Sequence, residues 1–200
     1  MSVLGIDSAE FARRRRQLIR MAGPNAILII PAAPERIRSN DTHFPYRQDS
    51  DFWYLTGFNE PEAVLVLVPE RAAGEVILFC RERHAEREAW DGARLGPEAA
   101  IDTLGVDDAY PWADMEEILP HLIEGRRQVF YHFGRDEAFD LTVISWVKRA
   151  RAMEKSPPAG QHEFHELGHL LHDLRLYKSS AERRLMQESA DIAALAHCDA

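Results

Sequence analysis

The segment His165-Glu166-Leu167-Gly168-His169 has the residue types and spacing that most directly indicate chemistry. It matches the pattern H-E-x-x-H, which on a helix places two histidines one turn apart on one face, where both can bind one zinc ion. Glu166 would then be the general base that activates a water molecule on the zinc ion. A third ligand is required, and Glu188 follows His169 by 19 residues, a spacing that one class of zinc peptidases uses. This pattern predicts a small zinc hydrolase with His165, His169 and Glu188 as ligands.

Other features of the same segment favour a plain polar helix surface or an interdomain contact. The chain contains nine histidines, and several cluster around this segment, which raises the rate of chance matches. Gly168 in the middle of a helix costs about 1 kcal/mol relative to alanine. Positions 172 and 175 are His and Arg, where the longer three-histidine zinc pattern requires Gly and His. The segment also lies within the last 40 residues, which leaves little chain to build a substrate cleft.

Composition excludes several broad classes of protein. The 200 residues are 46% hydrophobic and 28% charged, as in ordinary globular domains, which excludes disordered, collagen-like and coiled-coil chains. A net charge of −9 disfavours binding to nucleic acid, and the run Arg13–Arg16 is interpreted as a solvated helix face. No apolar run approaches the roughly 18–20 residues that span a bilayer, and no signal peptide is visible. Two cysteines, Cys80 and Cys198, form no disulfide framework, so we expect a cytoplasmic protein.

Hydrophobic periodicity and turn residues predict an α/β domain with a mixed β-sheet flanked by helices. The pattern predicts strands at Ala26–Ile30, Phe52–Leu55, Ala63–Val68, Glu75–Phe79 and Gln128–His132. The strands Ala63–Val68 and Glu75–Phe79 are joined by a loop of hairpin length, which predicts an antiparallel pair. It predicts helices at Ser8–Met21, His84–Ala89, Glu98–Leu104, Ala113–Ile123 and Asp136–Met153. Residues 31–50 are predicted to form a loop, and Lys155–Gln161 a linker. Ser179 and Glu182 form a capping-box pattern that opens a last helix, which runs toward Ala200 without a stop signal, as in a truncated chain.

The segment Phe44–Phe58 is dense in aromatic and charged side chains. It forms either a packed core strand with its entry loop or an interface, and composition does not decide between them. The nearby acids Asp41, Asp49 and Asp51 allow paired-carboxylate acid–base chemistry, or they cap turns and solvate the loop. The sequence contains no G-x-S-x-G motif, no glycine-rich phosphate loop and no dinucleotide fingerprint.

The block Tyr46–Ala63, with the sequence YRQDSDFWYLTGFNEPEA, closely resembles the N-terminal domain of bacterial Xaa-Pro aminopeptidases (aminopeptidase P). Further matches occur in the order that the family shows, at Arg38–Asp41, Trp90, Arg94–Gly96, Leu104–Asp107 and His172–Ser179. The resemblance extends over residues 8–200. It implies a creatinase-like α/β domain with a mixed sheet in residues 1–175, and the first helix of a catalytic domain, truncated, in residues 176–200.

The same resemblance implies the activity of the whole protein and where its chemistry lies. Members of this family hydrolyse the bond between an N-terminal residue and a following proline. Their pita-bread catalytic domain holds two metal ions, usually manganese, with two Asp, one His and two Glu. That domain would begin near Lys178, so all of its ligands would lie beyond Ala200. The resemblance therefore implies that this chain contains no catalytic residue and no metal ligand, and that the chain alone is inactive.

Two residues acquire a role only through this resemblance. Trp90 matches an aromatic residue that, in tetrameric members, reaches into the substrate pocket of the adjacent subunit, and Asp41 matches an acid near the far end of the substrate. The implied partners are peptides with proline at the second position and further copies of the chain in a homo-oligomer, of which a tetramer is one form, with no nucleic acid and no membrane. The domain would then serve oligomer assembly and substrate access. Ordinary packing of Trp90, and a non-catalytic interaction module that keeps the peptidase shape, remain alternatives.

Overall fold

The computed structural model describes residues 2–3, 5–153 and 162–199, and within them the chain forms an α/β fold around one central sheet. The elements of the first half are β1 (Ser2–Val3), β2 (Ile6–Asp7), α1 (Ser8–Ala22), β3 (Ala26–Pro31), β4 (Ile37–Ser39), β5 (Thr42–His43), α2 (Ser50–Thr56), β6 (Val64–Leu67), β7 (Val76–Cys80) and α3 (Ala85–Asp91). The second half contains α4 (Pro97–Leu104), β8 (Asp108–Pro111), α5 (Met115–Ile123), β9 (Gln128–Tyr131), α6 (Glu137–Met153), β10 (Glu163–Glu166), α7 (Gly168–Leu176) and α8 (Ser180–Asp199).

The central sheet has six strands in the order β10-β9-β3-β6-β7-β8. Strands β10, β9 and β3 run parallel to one another, β6 is antiparallel to β3 and to β7, and β8 is parallel to β7. From β3 the chain proceeds in one direction along the sheet to β8. It then returns to the other side of β3 to form β9 and β10. The mixed sheet flanked by helices that the sequence predicts is confirmed.

Both faces of the sheet are buried, and the alternation of side chains along β3 shows how. Ala26, Leu28 and Ile30 belong to one apolar cluster, whereas Ile27 and Ile29 belong to the other. Helices α1, α2, α4 and α7 cover the first face, and α5 and α6 cover the second. Each fully buried aliphatic side chain contributes about 1.5–3 kcal/mol, so a strand with no exposed side chain requires both helical layers.

The predicted strand Phe52–Leu55 is wrong, because the structure places these residues in helix α2. The side chain of Asp49 accepts hydrogen bonds from the backbone N–H groups of Asp51 (2.9 Å) and Phe52 (3.0 Å), which caps the first turn. Gly57 ends the helix in the left-handed region at φ 65°. A Cβ atom at this glycine would lie 2.7 Å from the ring of Phe11, so the position tolerates no side chain.

Most of the other predicted elements are confirmed, and the structure adds a few that the sequence does not predict. Helices α1, α4, α5 and α6, the antiparallel pair β6–β7 and the capping box that begins α8 are all present. Strand β8 and the small hairpin β4–β5 inside the predicted loop are not predicted from the sequence. The predicted linker Lys155–Gln161 lies entirely outside the described residues. No helix in the described part of the chain is both long and apolar enough to cross a membrane.

The interpretation of Arg13–Arg16 as a solvated helix face is wrong for its two central residues. Arg14 and Arg15 are each only 1% exposed. The guanidinium of Arg15 donates to the carbonyl oxygens of Leu55 (2.9 Å), Leu104 (2.9 Å) and Gly105 (2.8 Å). These carbonyls lie at the C-terminal ends of α2 and α4, where helices leave acceptors without partners. Burial lowers the pKa of Arg15 to about 10, but the group remains charged at neutral pH.

We expect Arg15→Met to destabilise the fold by about 3 kcal/mol, because the buried carbonyls of two helix ends would lose their donor. The free energy of unfolding from urea denaturation measures this loss. The matched control is Arg16→Met on the exposed face of the same helix, for which we expect a change within about 0.5 kcal/mol. Equal effects of the two substitutions would contradict the role of Arg15 as a donor to both helix ends.

Candidate functional site

Trp90 lies near the end of the short helix α3, and its side chain projects from the surface. It is 91% exposed, so it does not pack in the core of this chain. Glu60 holds the segment that contains α3 at both of its ends. One carboxylate oxygen of Glu60 accepts a hydrogen bond from the backbone N–H of Leu95 (2.8 Å), and the other pairs with Arg81 (3.4 Å). Glu60 belongs to the block Tyr46–Ala63, so this block fixes the position of the segment that contains Trp90. The role of Trp90 stays a prediction.

Asp41 lies in the turn between β4 and β5, and it is exposed like the rest of this hairpin. The preceding residue, Asn40, has a φ of 47° and makes the reversal of the chain possible. The three acids that are close in sequence do not gather into one site. Asp49 caps α2, Asp51 is buried within the same helix, and Asp41 is on the separate hairpin. The turn-capping interpretation is therefore confirmed for Asp49.

The helix that the zinc-site hypothesis requires is not present. His165 and Glu166 belong to strand β10, whereas His169 lies in α7, so the two histidines are not one helical turn apart. His165 stacks on Phe130 at 4.9 Å between ring centroids, and His169 Nδ1 bonds the backbone carbonyl of Glu166 at 2.5 Å. Glu188 is exposed on α8. In the part of the chain that the structure describes, no three His, Cys, Asp or Glu side chains are placed to hold a metal ion.

A cluster of charged side chains around the buried residues Asp51 and His132 joins α2, the end of β9, β10 and α7. Asp51 is its centre. Its carboxylate lies 3.3 Å from His132 Nε2, accepts a hydrogen bond from Arg175 Nη1 at 2.5 Å, and pairs with Arg135 at 3.4 Å. On its other side, His132 Nδ1 is in hydrogen-bond contact with Glu166. Both ring nitrogens of His132 thus face carboxylates, Asp51 on one side and Glu166 on the other.

Burial of Asp51 opposes its ionisation, but the hydrogen bonds from His132 and Arg175 outweigh this effect. Together they lower the pKa of Asp51 to about 2. Sequence reasoning singled out Asp51 only as a member of an acidic loop, and singled out Glu166 only as a zinc-site base. No sequence signal placed them around His132, because their separations along the chain are 81 and 34 residues.

A groove of about 1140 Å³ lies where α8 meets α1, α2 and α7. Its walls include the guanidinium of Arg14, which stacks on the ring of Tyr54 at 4.0 Å and pairs with Glu182 of α8 at 3.5 Å. Helix α8 itself has no buried residue. Around the groove and along α8, large apolar side chains are exposed at Leu176, Tyr177, Met186, Ile192 and Leu195.

The comparisons with known proteins agree with this architecture. Residues 11–131 match the family model described as "Aminopeptidase P, N-terminal domain". The chain is 38% identical to the Xaa-Pro aminopeptidase of Escherichia coli (strain K12), a match that covers 96% of this chain and 44% of that protein. Among solved structures, it superposes on Pseudomonas aeruginosa aminopeptidase PepP with a TM-score of 0.90 and 50% identity, over 97% of this chain and 44% of that one.

A zinc-substituted E. coli aminopeptidase P in complex with product gives a TM-score of 0.88 at 38% identity, over 96% of this chain and 44% of that one. The chain thus spans less than half the length of the relatives that it matches.

The low pKa of Asp51 predicts a specific dependence of stability on pH. Because the folded-state pKa lies below the ordinary value of 3.8, the charged cluster stabilises the folded chain above about pH 4 and this contribution is lost as the pH falls toward 2. We expect the stability advantage of the native chain over Asp51→Asn to shrink by on the order of 2 kcal/mol between about pH 5 and pH 2.

Urea denaturation at a series of pH values measures this difference. Asp102→Asn is the matched control, because Asp102 is exposed on α4 and its removal takes away no buried ion pair. A difference that stays constant with pH for Asp51→Asn, or an equal change for Asp102→Asn, would contradict the prediction.

Proposed function

The chain belongs to the aminopeptidase P family, and from this premise we propose that it is the N-terminal part of a metal-dependent Xaa-Pro aminopeptidase. This enzyme would hydrolyse the bond between an N-terminal residue and a following proline. The observation that supports the proposal most strongly is the agreement of nearly the whole chain with PepP of P. aeruginosa at 50% identity. Half of the aligned residues are identical over 97% of this chain, so the two proteins share side chains as well as a backbone fold.

The bond-breaking chemistry of the proposed enzyme belongs to a catalytic part outside this chain. Two manganese ions, held there by two Asp, one His and two Glu, would supply Lewis-acid polarisation of the scissile carbonyl. The described residues of this chain do not fit such a centre, since they contain no group of three metal-ligating side chains in place. Within this proposal, the chain assembles the enzyme and controls access of substrate. The proposal also places the protein in the cytoplasm.

Within this proposal, residues 1–175 form the N-terminal domain and residues 176–200 begin the catalytic part. The exposed apolar side chains of α8, such as Ile192 and Leu195, would be covered by the remainder of that part. The pair Arg14–Glu182 and the hydrogen bond from Arg184 to the carbonyl of Gly5 (3.3 Å) fasten the start of α8 to the domain.

Trp90 and Asp41 are the residues of this chain that we assign to substrate, acting in the active site of a neighbouring copy. Tryptophan is buried on average in folded proteins, so an indole that is 91% exposed is available to wall a pocket on another subunit. Asp41 lies on an exposed hairpin from which a carboxylate can reach the far end of a short peptide. Both assignments require a homo-oligomer, of which the tetramer of the tetrameric family members is one form.

Because the proposed metal centre lies in the catalytic part, we expect that the 200-residue chain alone does not cleave peptides with proline at the second position, even with added Mn²⁺. The complete enzyme, in which this chain is continued by the catalytic part, should cleave them. Release of the N-terminal residue is measured for both proteins, and the zinc and manganese bound to the chain are measured by mass spectrometry.

Cleavage by the chain alone that depends on metal would contradict the proposal. So would one stoichiometric zinc per chain that His165→Ala removes, and this second result would support the small zinc hydrolase instead. Absence of Xaa-Pro cleavage by the complete enzyme would contradict the assigned activity itself.

In the complete enzyme, we expect Trp90→Ala to raise KM for a Xaa-Pro peptide about tenfold, since truncation of a tryptophan at a binding interface costs on the order of 1.4 kcal/mol or more. Arg87→Ala is the matched control, because Arg87 is exposed on the same helix α3. Steady-state kinetics give both parameters. An unchanged KM and kcat for Trp90→Ala would show that this side chain does not contact substrate.

A further inference from the structure

The carboxyl ends of β3 and β9 form the point at which the strand order of the sheet reverses. These two strands are parallel neighbours. After β3 the chain proceeds through α2 to β6 on one side, whereas after β9 it proceeds through α6 to β10 on the other side. The two connections also cover opposite faces of the sheet, since α2 packs in one apolar cluster and α6 in the other. In open α/β sheets, the crevice at such a reversal is the general location of bound ligands.

A cavity of about 480 Å³ lies at this crevice. Ile30 and Pro31 from the end of β3, and Tyr131 and His132 from the end of β9, form its inner wall. Cavities that bind small molecules in proteins have volumes of about 300–1,000 Å³. The location that the topology predicts is therefore also a place with room for a small ligand.

Aromatic side chains form much of the apolar lining. Trp112 and Phe139 line the cavity together with Tyr131, and the rings of Tyr131 and Phe139 lie 5.8 Å apart between centroids. Trp112 and Phe139 are only partly buried against the core, so each keeps ring surface that a ligand can cover. Such surfaces favour an apolar or aromatic group in the ligand.

Charged groups of both signs surround the same cavity. The guanidinium of Arg135 is about half exposed and makes only long contacts, 3.3 Å to Asp49 and 3.4 Å to Asp51. A guanidinium has five N–H donors, so Arg135 retains donors for a ligand carboxylate. The carboxylates of Glu62 and Asp136 also line the cavity and can accept hydrogen bonds from an ammonium group. Neither a purely anionic nor a purely cationic ligand pairs with both sets of groups.

We propose that this cavity binds a small zwitterion with a large apolar side chain, of the class of free α-amino acids. The ligand carboxylate pairs with Arg135, its ammonium group with Glu62 and Asp136, and its side chain contacts Trp112 and Phe139. This site goes beyond the proposed peptidase function and does not depend on it. Binding is measured on the 200-residue chain without catalysis, so failure of one proposal leaves the other intact.

The test is isothermal titration calorimetry of the chain with three matched probes. L-phenylalanine has both charges, 3-phenylpropionate lacks the ammonium group, and L-phenylalaninamide lacks the carboxylate. We expect saturable binding of L-phenylalanine with a Kd of about 1 mM or below, and at least about tenfold weaker binding of the other two probes.

Two variants and one control identify the site. Arg135→Ala should weaken the binding of L-phenylalanine at least about tenfold. Arg127→Ala should leave it unchanged, because Arg127 precedes β9 at the opposite end of the same strand and pairs with Glu163. Trp112→Leu removes aromatic wall without touching the ion pairs of Arg135, and it should weaken binding as well. Thermal unfolding of each variant confirms that it is folded, and Trp112→Leu remains informative if Arg135→Ala does not fold.

Three results would overturn the proposal. The first is no binding of L-phenylalanine up to about 10 mM. The second is equal binding of all three probes, which would show an apolar cavity without recognition of charge. The third is binding that folded Arg135→Ala and Trp112→Leu both retain, which would place the ligand elsewhere on the chain.

Discussion

The burial of strand β3 on both of its faces is the constraint on which the rest of the structure depends. Successive side chains from Ala26 to Ile30 lie in two different apolar clusters, so helices must cover the sheet on each side. The chain meets this requirement by sending α2 to one face and α6 to the other. Because these connections leave the carboxyl ends of β3 and β9 in opposite directions, a crevice between them is unavoidable. The cavity that we assign to a zwitterion is thus a direct consequence of how the core is covered.

Two buried arginines of α1 hold the helices on the first face of the sheet in place by donating hydrogen bonds to their backbone carbonyls. The last carbonyl groups of helices α2 and α4 face α1, and the hydrogen bonds to those of Leu55 and Leu104 are buried. Arg15 donates to both helix ends at once, and Arg14 donates to the carbonyl of Tyr54 (2.9 Å) while stacking on its ring. An arginine is suited to this role because its planar group has five donors and stays charged when buried. The two residues therefore fix α2, and with it the position of the block that contains Glu60.

The sequence alone predicted the sheet and most of the helices, because long apolar runs and helix-ending glycines are local signals. It failed at Phe52–Leu55, where four aromatic or aliphatic residues are consistent with a strand and only the cap from Asp49 determines a helix. It failed for Arg14 and Arg15, because burial of a charge depends on carbonyls 40 and 90 residues away. The cluster around Asp51 was equally inaccessible. The family, in contrast, was recognisable, since the block Tyr46–Ala63 is long and specific.

Arg135 lines the cavity and also pairs with Asp51, so a ligand in the cavity and the cluster around Asp51 share this guanidinium. A ligand carboxylate that recruits the guanidinium competes with Asp49 and Asp51 for the same donors. Asp51 then depends more heavily on His132 and on Arg175, and the contact with Arg175 is already its shortest at 2.5 Å. Arg175 belongs to α7, the helix that leads directly into α8. On binding of the proposed ligand, the pair of Asp51 with Arg175, which lies in the last turn of α7 just before α8, would be the first contact outside the cavity to change.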